Sequence, residues 1–342
     1  MATTKRSRST KNATRPRAAA AHKSRATRTL NTDPRSLALA VGAALLPWGT
    51  AHALPTGENV VAGDVTVARP TSQSMQINQA TQKGIVNWNS FSIGASEHVN
   101  ISQLNSTSVL LNRVVGNNPS EIFGRLTANG QVFLVNPNGV LFAPGASVEV
   151  GSLFASTLSI SNQDFLAGRY QFSREGDAGS VVNQGTIITA DGYTALVGPQ
   201  VRNDGVIIAR KGTVALAAAD RVSLDLIGDG LISINVEQAA LNASVVHTGR
   251  IEADGGQVLL SARSANALLD TVINTSGVIR ANSLIERNGE IVLDGGGAGV
   301  VAVSGTLQAA GVDAGTTGGT IKILGDKVGL FGDAVVDASG HS

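Results

Sequence analysis

Three carboxylates set close together, Asp220, Asp225 and Asp229, with Arg221 beside them, come nearest to a catalytic constellation in this chain. Two such groups facing one groove cleave polysaccharides, one as general acid and the other as base or nucleophile. Their spacing does not place any two of them on one face, so a solvated turn cluster is the simpler reading. Histidine offers less. After residue 53 only His98, His247 and His341 occur, with no H-x-H, H-E-x-x-H or cysteine-based spacing, so neither a transition metal nor a cofactor is expected. The run Asp294-Gly-Gly-Gly-Ala-Gly299 has the look of a calcium-binding nonapeptide turn, but it does not recur and lacks the aspartate after the glycines. There is no G-x-S-x-G elbow. Sequons begin at Asn100, Asn105, Asn242 and Asn274, a weak signal in a chain so rich in Asn, Ser and Thr.

One short motif stands apart, Asn136-Pro137-Asn138-Gly139, between the apolar runs Gln131–Val135 and Val140–Phe142. Pro137 suits the second position of a β-turn, and Asn138 or Gly139 can take the positive φ that completes it. The flanks are β-branched and aromatic, which predicts strands on both sides.

The elements that must position such a turn follow from composition. The 342 residues include 40 Gly, no Cys and 4% aromatic residues, which favours short strands broken by frequent turns over helices or a disulfide scaffold. The net charge of +1 hides a segregation. Residues 1–35 hold ten of the 26 basic residues and one acid, whereas residues 54–342 hold 16 basic and 24 acidic groups, a net of −8. A nucleic-acid-binding body is therefore not expected. The basic start leads into an apolar stretch, Ser36 to Leu46, and then Ala51-His-Ala53, which together predict a secretory signal with cleavage between Ala53 and Leu54. Residues 1–53 are read as an extended signal peptide. The first 35 residues are either an extended targeting region or follow from a start codon placed too early.

From Leu54 to about Asn112 strand-like runs lack a common spacing, the pattern of a cap that covers the end of a strand stack. Trp88 and Phe91 are read as core anchors of that cap, with Phe133 and Phe142 near it; a stacking platform is the alternative for the first two. The spacing Ser161-x-x-Asp164 predicts a short capped helix, followed by a hairpin-like excursion through Tyr170 and Phe172. After about Ser180 a unit of polar-x-Gly-x-apolar recurs, as in Asn183–Ile187, Asn203–Ile207, His247–Ile251, Thr275–Ile279, Arg287–Ile291, Val303–Leu307 and Thr317–Ile321. A period of roughly 20 residues predicts a parallel β-helix of about eight further coils, some 40 Å long. The expected fold is all-β: a right-handed parallel β-helix with an N-terminal strand cap and small extra-helical insertions. Residues 54–180 are expected to form the cap and first coils, and residues 181–342 the repeat coils of a longer rod, since no capping structure is visible at Asp337 to Ser342.

Taken together, the runs Ile77–Phe91, Leu111-Asn-Arg-Val114, Gly130–Gly139 and Ala155-Ser-Thr-Leu158 resemble the secretion domain of two-partner secretion exoproteins. This is the filamentous haemagglutinin N-terminal, or haemagglutination-activity, domain, and the resemblance is to its high-molecular-weight adhesin branch. It is detailed over residues 57–175. The N-P-N-L motif of another branch is missing near Ser102-Gln-Leu-Asn105. The resemblance implies export through the periplasm of a Gram-negative bacterium to the cell surface or medium. It also implies recognition by an Omp85-like, POTRA-bearing outer-membrane transporter, no enzymatic activity, and a role for Asn136, Pro137, Asn138 and Gly139 in secretion. Host-cell surfaces or glycans are expected to be met by downstream regions of an adhesin. The alternatives are a β-helical polysaccharide lyase or hydrolase, and the front part of a contact-dependent toxin or haem-acquisition exoprotein.

Overall fold

The computed structural model describes residues 54–190, 192–226, 232–265 and 271–341. The signal region with Ala53, and the carboxylate Asp229, lie outside the described residues. Strands follow one another around three sheets of ten, eight and eleven strands. One coil illustrates the pattern: Arg125–Ala128 lies in the eleven-stranded sheet, Gln131–Val135 in the ten-stranded and Val140–Phe142 in the eight-stranded. Each strand then pairs in parallel with its counterparts one coil before and one coil after. The fold is a parallel β-helix.

Its core follows from strand alternation, because every second side chain points into the lumen and meets the residue in register on the next coil. One such ladder runs Val99, Leu126, Val148, Ile187, Ile207, Ile251, Ile279, Leu307, all fully buried. Burying each contributes about 1.5–3 kcal/mol, and a single coil has no partner for them. Stacking supplies that partner.

Two expectations need correction. The cap is shorter than the sequence suggests, because Ser74–Gln79 already pairs in parallel with His98–Gln103, and Lys83–Trp88 with Val109–Val114. Antiparallel pairing in this region is confined to Asn59–Ala62 and Val65–Thr71 on the first coil and a bridge between Thr56 and Ser90. Unequal corner loops hide the coil period from inspection of spacing. The coils after the first of the later set are also longer than 20 residues. Beyond residue 180 the described part of the eleven-stranded sheet has six strands, not eight, and five steps of about 4.8 Å give roughly 24 Å. The sheets run without a break through residue 180.

The insertion after Leu158 begins with the helix Asn162–Ala167, as its capping signature predicts. The Ser161 hydroxyl accepts from the Asp164 backbone N–H at 3.0 Å and donates to its carboxylate at 2.7 Å. Gly168, at φ +74°, closes the helix in the left-handed conformation. Ser161→Ala is expected to cost about 1 kcal/mol, read as lower stability in urea with the coil stack intact. The excursion closes on itself where Ser159 and Ser173 exchange backbone hydrogen bonds at 2.8 and 2.9 Å, and its strand, Tyr170–Ser173, has a further partner. It pairs antiparallel with Arg221–Leu226, which pairs with Ile232–Gln238, forming a three-stranded sheet outside the helix.

Candidate export site at the Asn-Pro-Asn-Gly corner

Asn136 to Gly139 form a corner within one coil, turning the chain from Gln131–Val135 to Val140–Phe142, which lie in different sheets. The Gly139 N–H donates to the Asn136 carbonyl at 3.1 Å, closing a β-turn with Pro137 and Asn138 at its centre. The positive φ falls on Gly139, at +128°.

Asn136 is fully buried and uses both ends of its amide. Its nitrogen donates to the Asn118 carbonyl and the Ser120 hydroxyl, each at 3.0 Å, on the preceding coil. Its oxygen accepts from the Asn138 N–H at 3.0 Å and the Asn138 amide at 3.1 Å. The exposed Asn138 side chain also reaches back, donating to the Gly116 carbonyl at 2.8 Å. The following coil is held by backbone groups: Asn136 N–H donates to Ser156 O at 2.9 Å, and Gly179 N–H to Pro137 O at 2.8 Å. Four residues therefore fasten three successive coils. Replacing either asparagine breaks bonds between coils, whereas an isolated turn would lose only its own.

The four aromatic residues grouped from sequence divide between two clusters. Trp88, Phe91 and Phe142 lie in the lumen. The Trp88 and Phe91 rings meet edge-on at 5.5 Å, and the Trp88 indole donates to Asn112 at 3.1 Å. Phe133 faces the other side of its strand, outside the lumen, and packs beneath the insertion against Phe154, Phe165, Tyr170 and Phe172. Alternation explains the split, since Phe133 sits between the lumen residues Val132 and Leu134. Leu54 is buried in the lumen cluster.

Sequence reasoning missed two clamps on the insertion. The Lys83 ammonium donates to the Phe165 and Leu166 carbonyls at 3.1 and 3.0 Å, at the last turn of the short helix, where a cation complements the exposed carbonyls. It also lies 5.5 Å from the Tyr170 ring centre. Partial burial lowers its pKa. Arg113 donates to the Ile160 carbonyl and to Asn162 Oδ1, both at 2.6 Å, fixing the loop that enters the helix. Both residues lie inside the runs that carry the family resemblance, and a cation amid apolar strand residues was the available signal.

Of the nominated carboxylates, Asp220 and Asp225 are described, and they do not face each other as a pair. Asp220 is 8% exposed and lies 3.3 Å from Arg174. Asp225 is exposed at the far end of the strand, about 16 Å along the chain, beyond the 5–9.5 Å used by paired carboxylates in glycoside cleavage. Asp294, at the glycine-rich turn, binds Arg263 at 2.7 Å and the Gly296 N–H at 2.9 Å. The Arg263 guanidinium holds that carboxyl below the usual range. Among the described residues no cluster of three His, Cys, Asp or Glu side chains is placed to hold a metal.

The fold has counterparts among known proteins. The TPS secretion domain family model matches residues 51–328. Two proteins named "Heme/hemopexin-binding protein" from Haemophilus influenzae are 35% and 34% identical over 254 and 261 residues, 72% and 70% of this chain. This chain spans 28% of the length of each. The crystal structure of the HMW1 secretion domain from Haemophilus influenzae matches with a TM-score of 0.76 at 33% identity, covering 84% of this chain and 74% of that one. The filamentous hemagglutinin secretion domain shares the fold, with a TM-score of 0.54 at 15% identity over 83% of this chain and 99% of that one. The chain thus belongs to the TPS secretion domain family and is the secretion domain of a two-partner secretion exoprotein.

Proposed function

We propose that this domain is a non-enzymatic export and folding-nucleation module, recognised by an Omp85-like, POTRA-bearing transporter and carried to the surface or medium of a Gram-negative bacterium. Residues 54–180 act as the nucleus and residues 181–342 as coils that stack on it. Adhesion or haem acquisition belongs to the exoprotein as a whole. The transporter test is direct: deleting the barrel is expected to abolish secretion, and unchanged secretion would sink the reading.

The Asn136 to Gly139 corner serves export by holding coils together. The observation that carries this is the burial of Asn136 with its amide bonded to the preceding coil. Asn136→Ala leaves buried partners unsatisfied, and is expected to cost about 2–4 kcal/mol and to slow refolding. Asn138→Ala, at an exposed position, is expected to cost about 1 kcal/mol. Export should fall in the same order. Normal refolding of both variants, combined with lost binding to the transporter's periplasmic domains, would establish direct recognition instead.

A further inference from the structure

A column of polar side chains runs through the core at the corner between the eight- and eleven-stranded sheets. In register, successive coils place Asn183, Asn203, His247 and Thr275 there, each fully buried, where the preceding coil has Phe142 and the next Val303. An apolar ladder can slide by two residues and still bury its side chains. A buried polar ladder cannot, because a slip strands donors and acceptors away from water.

The ladder also has a direction. At one end the Gly185 N–H donates to Asn183 at 3.1 Å, so the atom facing it must be the amide oxygen. The Asn183 nitrogen then donates to Asn203 Oδ1 at 2.7 Å, which turns the Asn203 nitrogen toward His247 Nδ1, 3.0 Å away. At the other end the Val278 carbonyl lies 3.2 Å from His247 Nε2 and can only accept. A backbone N–H and a backbone carbonyl fix both ends, so no amide flip reverses the chain. His247 must be neutral, with its proton on Nε2. A second proton, on Nδ1, would face the Asn203 side-chain N–H; the Asn203 backbone carbonyl beside the ring and the Asp204 carboxylate favour that proton, but less than burial opposes it.

We infer that the Asn183–Asn203–His247 ladder is a one-way register lock that closes only on a neutral His247, so that acidification loosens the coils from Ser244 onward while earlier coils stay stacked. The coil that Ser244–His247 opens follows the strands Arg221–Leu226 and Ile232–Gln238, which pair outside the β-helix, and this makes its docking the step most in need of a register mark. Of the groups around the ring, Asn183, Asn203, Thr275 and Val278 carry no charge. The titratable neighbour is Asp204, whose carboxylate is engaged by Arg202 at 2.7 Å and by the Thr248 hydroxyl at 2.6 Å.

The sign follows from burial, which lowers the His247 pKa. With the folded value below the ordinary value of about 6.5, the unfolded coil binds the extra proton first. The contribution to stability is complete above about 6.5 and is lost as pH falls below it, until the folded value is reached. His98 also has a lowered pKa through burial, so both test proteins carry His98→Gln.

Hydrogen exchange, corrected for intrinsic rates, should show the opening constant of Ser244–His247, Arg250–Glu252 and Gln257–Ala262 rising by up to about tenfold per pH unit below 6.5. Protection in Gln131–Val135 and Ser152–Ser156 should hold over the same range. His247→Asn, which can continue the ladder as Asn203 does, should abolish the pH dependence between pH 7.5 and 5.0. Equal protection at both pH values in the parent, or the same dependence in His247→Asn, would overturn the lock. Ring-nitrogen NMR of the unsubstituted chain gives an independent reading: an Nε2–H tautomer that stays neutral at pH 6 supports it, and an Nδ1–H tautomer or an ordinary titration ends it.

Discussion

Phe133→Ala should cost about 3–5 kcal/mol and free the insertion over residues 159–173 while the coils remain stacked. Phe133 is fully buried outside the lumen, with ring-centre distances of 4.9 Å to Phe154, 5.5 Å to Tyr170 and 5.9 Å to Phe165. Removing it empties the centre of a cluster whose roof is one short helix and a three-stranded sheet. Its strand neighbours Val132 and Leu134 still fill the lumen. Phe142→Ala removes the same bulk from the lumen and should loosen the coil stack instead. Limited proteolysis distinguishes them: Phe133→Ala should be cut first between residues 157 and 180, and Phe142→Ala elsewhere as well. Identical cleavage patterns would show that the two clusters do not act separately.

The sequence reveals the lumen far better than the roof. Recurring glycine corners and alternating Val, Ile and Leu announce a β-helix, because identical coils must present identical faces. The second cluster obeys no repeat. Its signal is local: Val132-Phe-Leu-Val135 and Ala215-Leu-Ala-Ala-Ala219 are apolar at every position, the pattern of strands covered on both faces. What covers them comes from residues 162–173, 221–226 and 232–238, and no spacing rule links segments fifty residues apart. The Asn136 corner was legible as a turn, since Pro and Gly fix its geometry locally. That Pro137 and the two asparagines stabilise a corner between early coils was legible too, but not which groups they bind, because the partners are mostly backbone carbonyls, which any sequence would supply. The carboxylates invite caution for a related reason: a strand separates successive side chains by about 3.3 Å per residue, so near neighbours in sequence need not converge.

Glycine corners carry the second large effect, and Gly249→Ala is expected to cost about 3 kcal/mol, confined to the later coils. Gly185, Gly205, Gly249, Gly277 and Gly305 stack at one corner, and a Cβ on each of the last four would collide with the carbonyl oxygen of the glycine before it. That carbonyl cannot move aside, because it accepts a ladder hydrogen bond from the neighbouring residue. Gly205 O takes the Arg250 N–H at 2.9 Å, and Gly249 O takes the Val278 N–H at 3.0 Å. The repeats at Arg287–Ile291 and Thr317–Ile321 belong to a different corner, where Gly319 approaches Gly289 in the same way. A methyl at Gly249 must therefore push two coils apart or break the bond between them, and in a stack with nearest-neighbour contacts the damage passes to coils that dock later. Gly297, with open space around its Cβ position and no positive φ, is the control, and Gly297→Ala should change stability by less than about 0.5 kcal/mol. Hydrogen exchange should show lost protection from Arg250 onward in Gly249→Ala, with Gln131–Val135 unaffected. Uniform loss along the whole chain would mean that the coils fold as one cooperative unit and that no corner acts on its own.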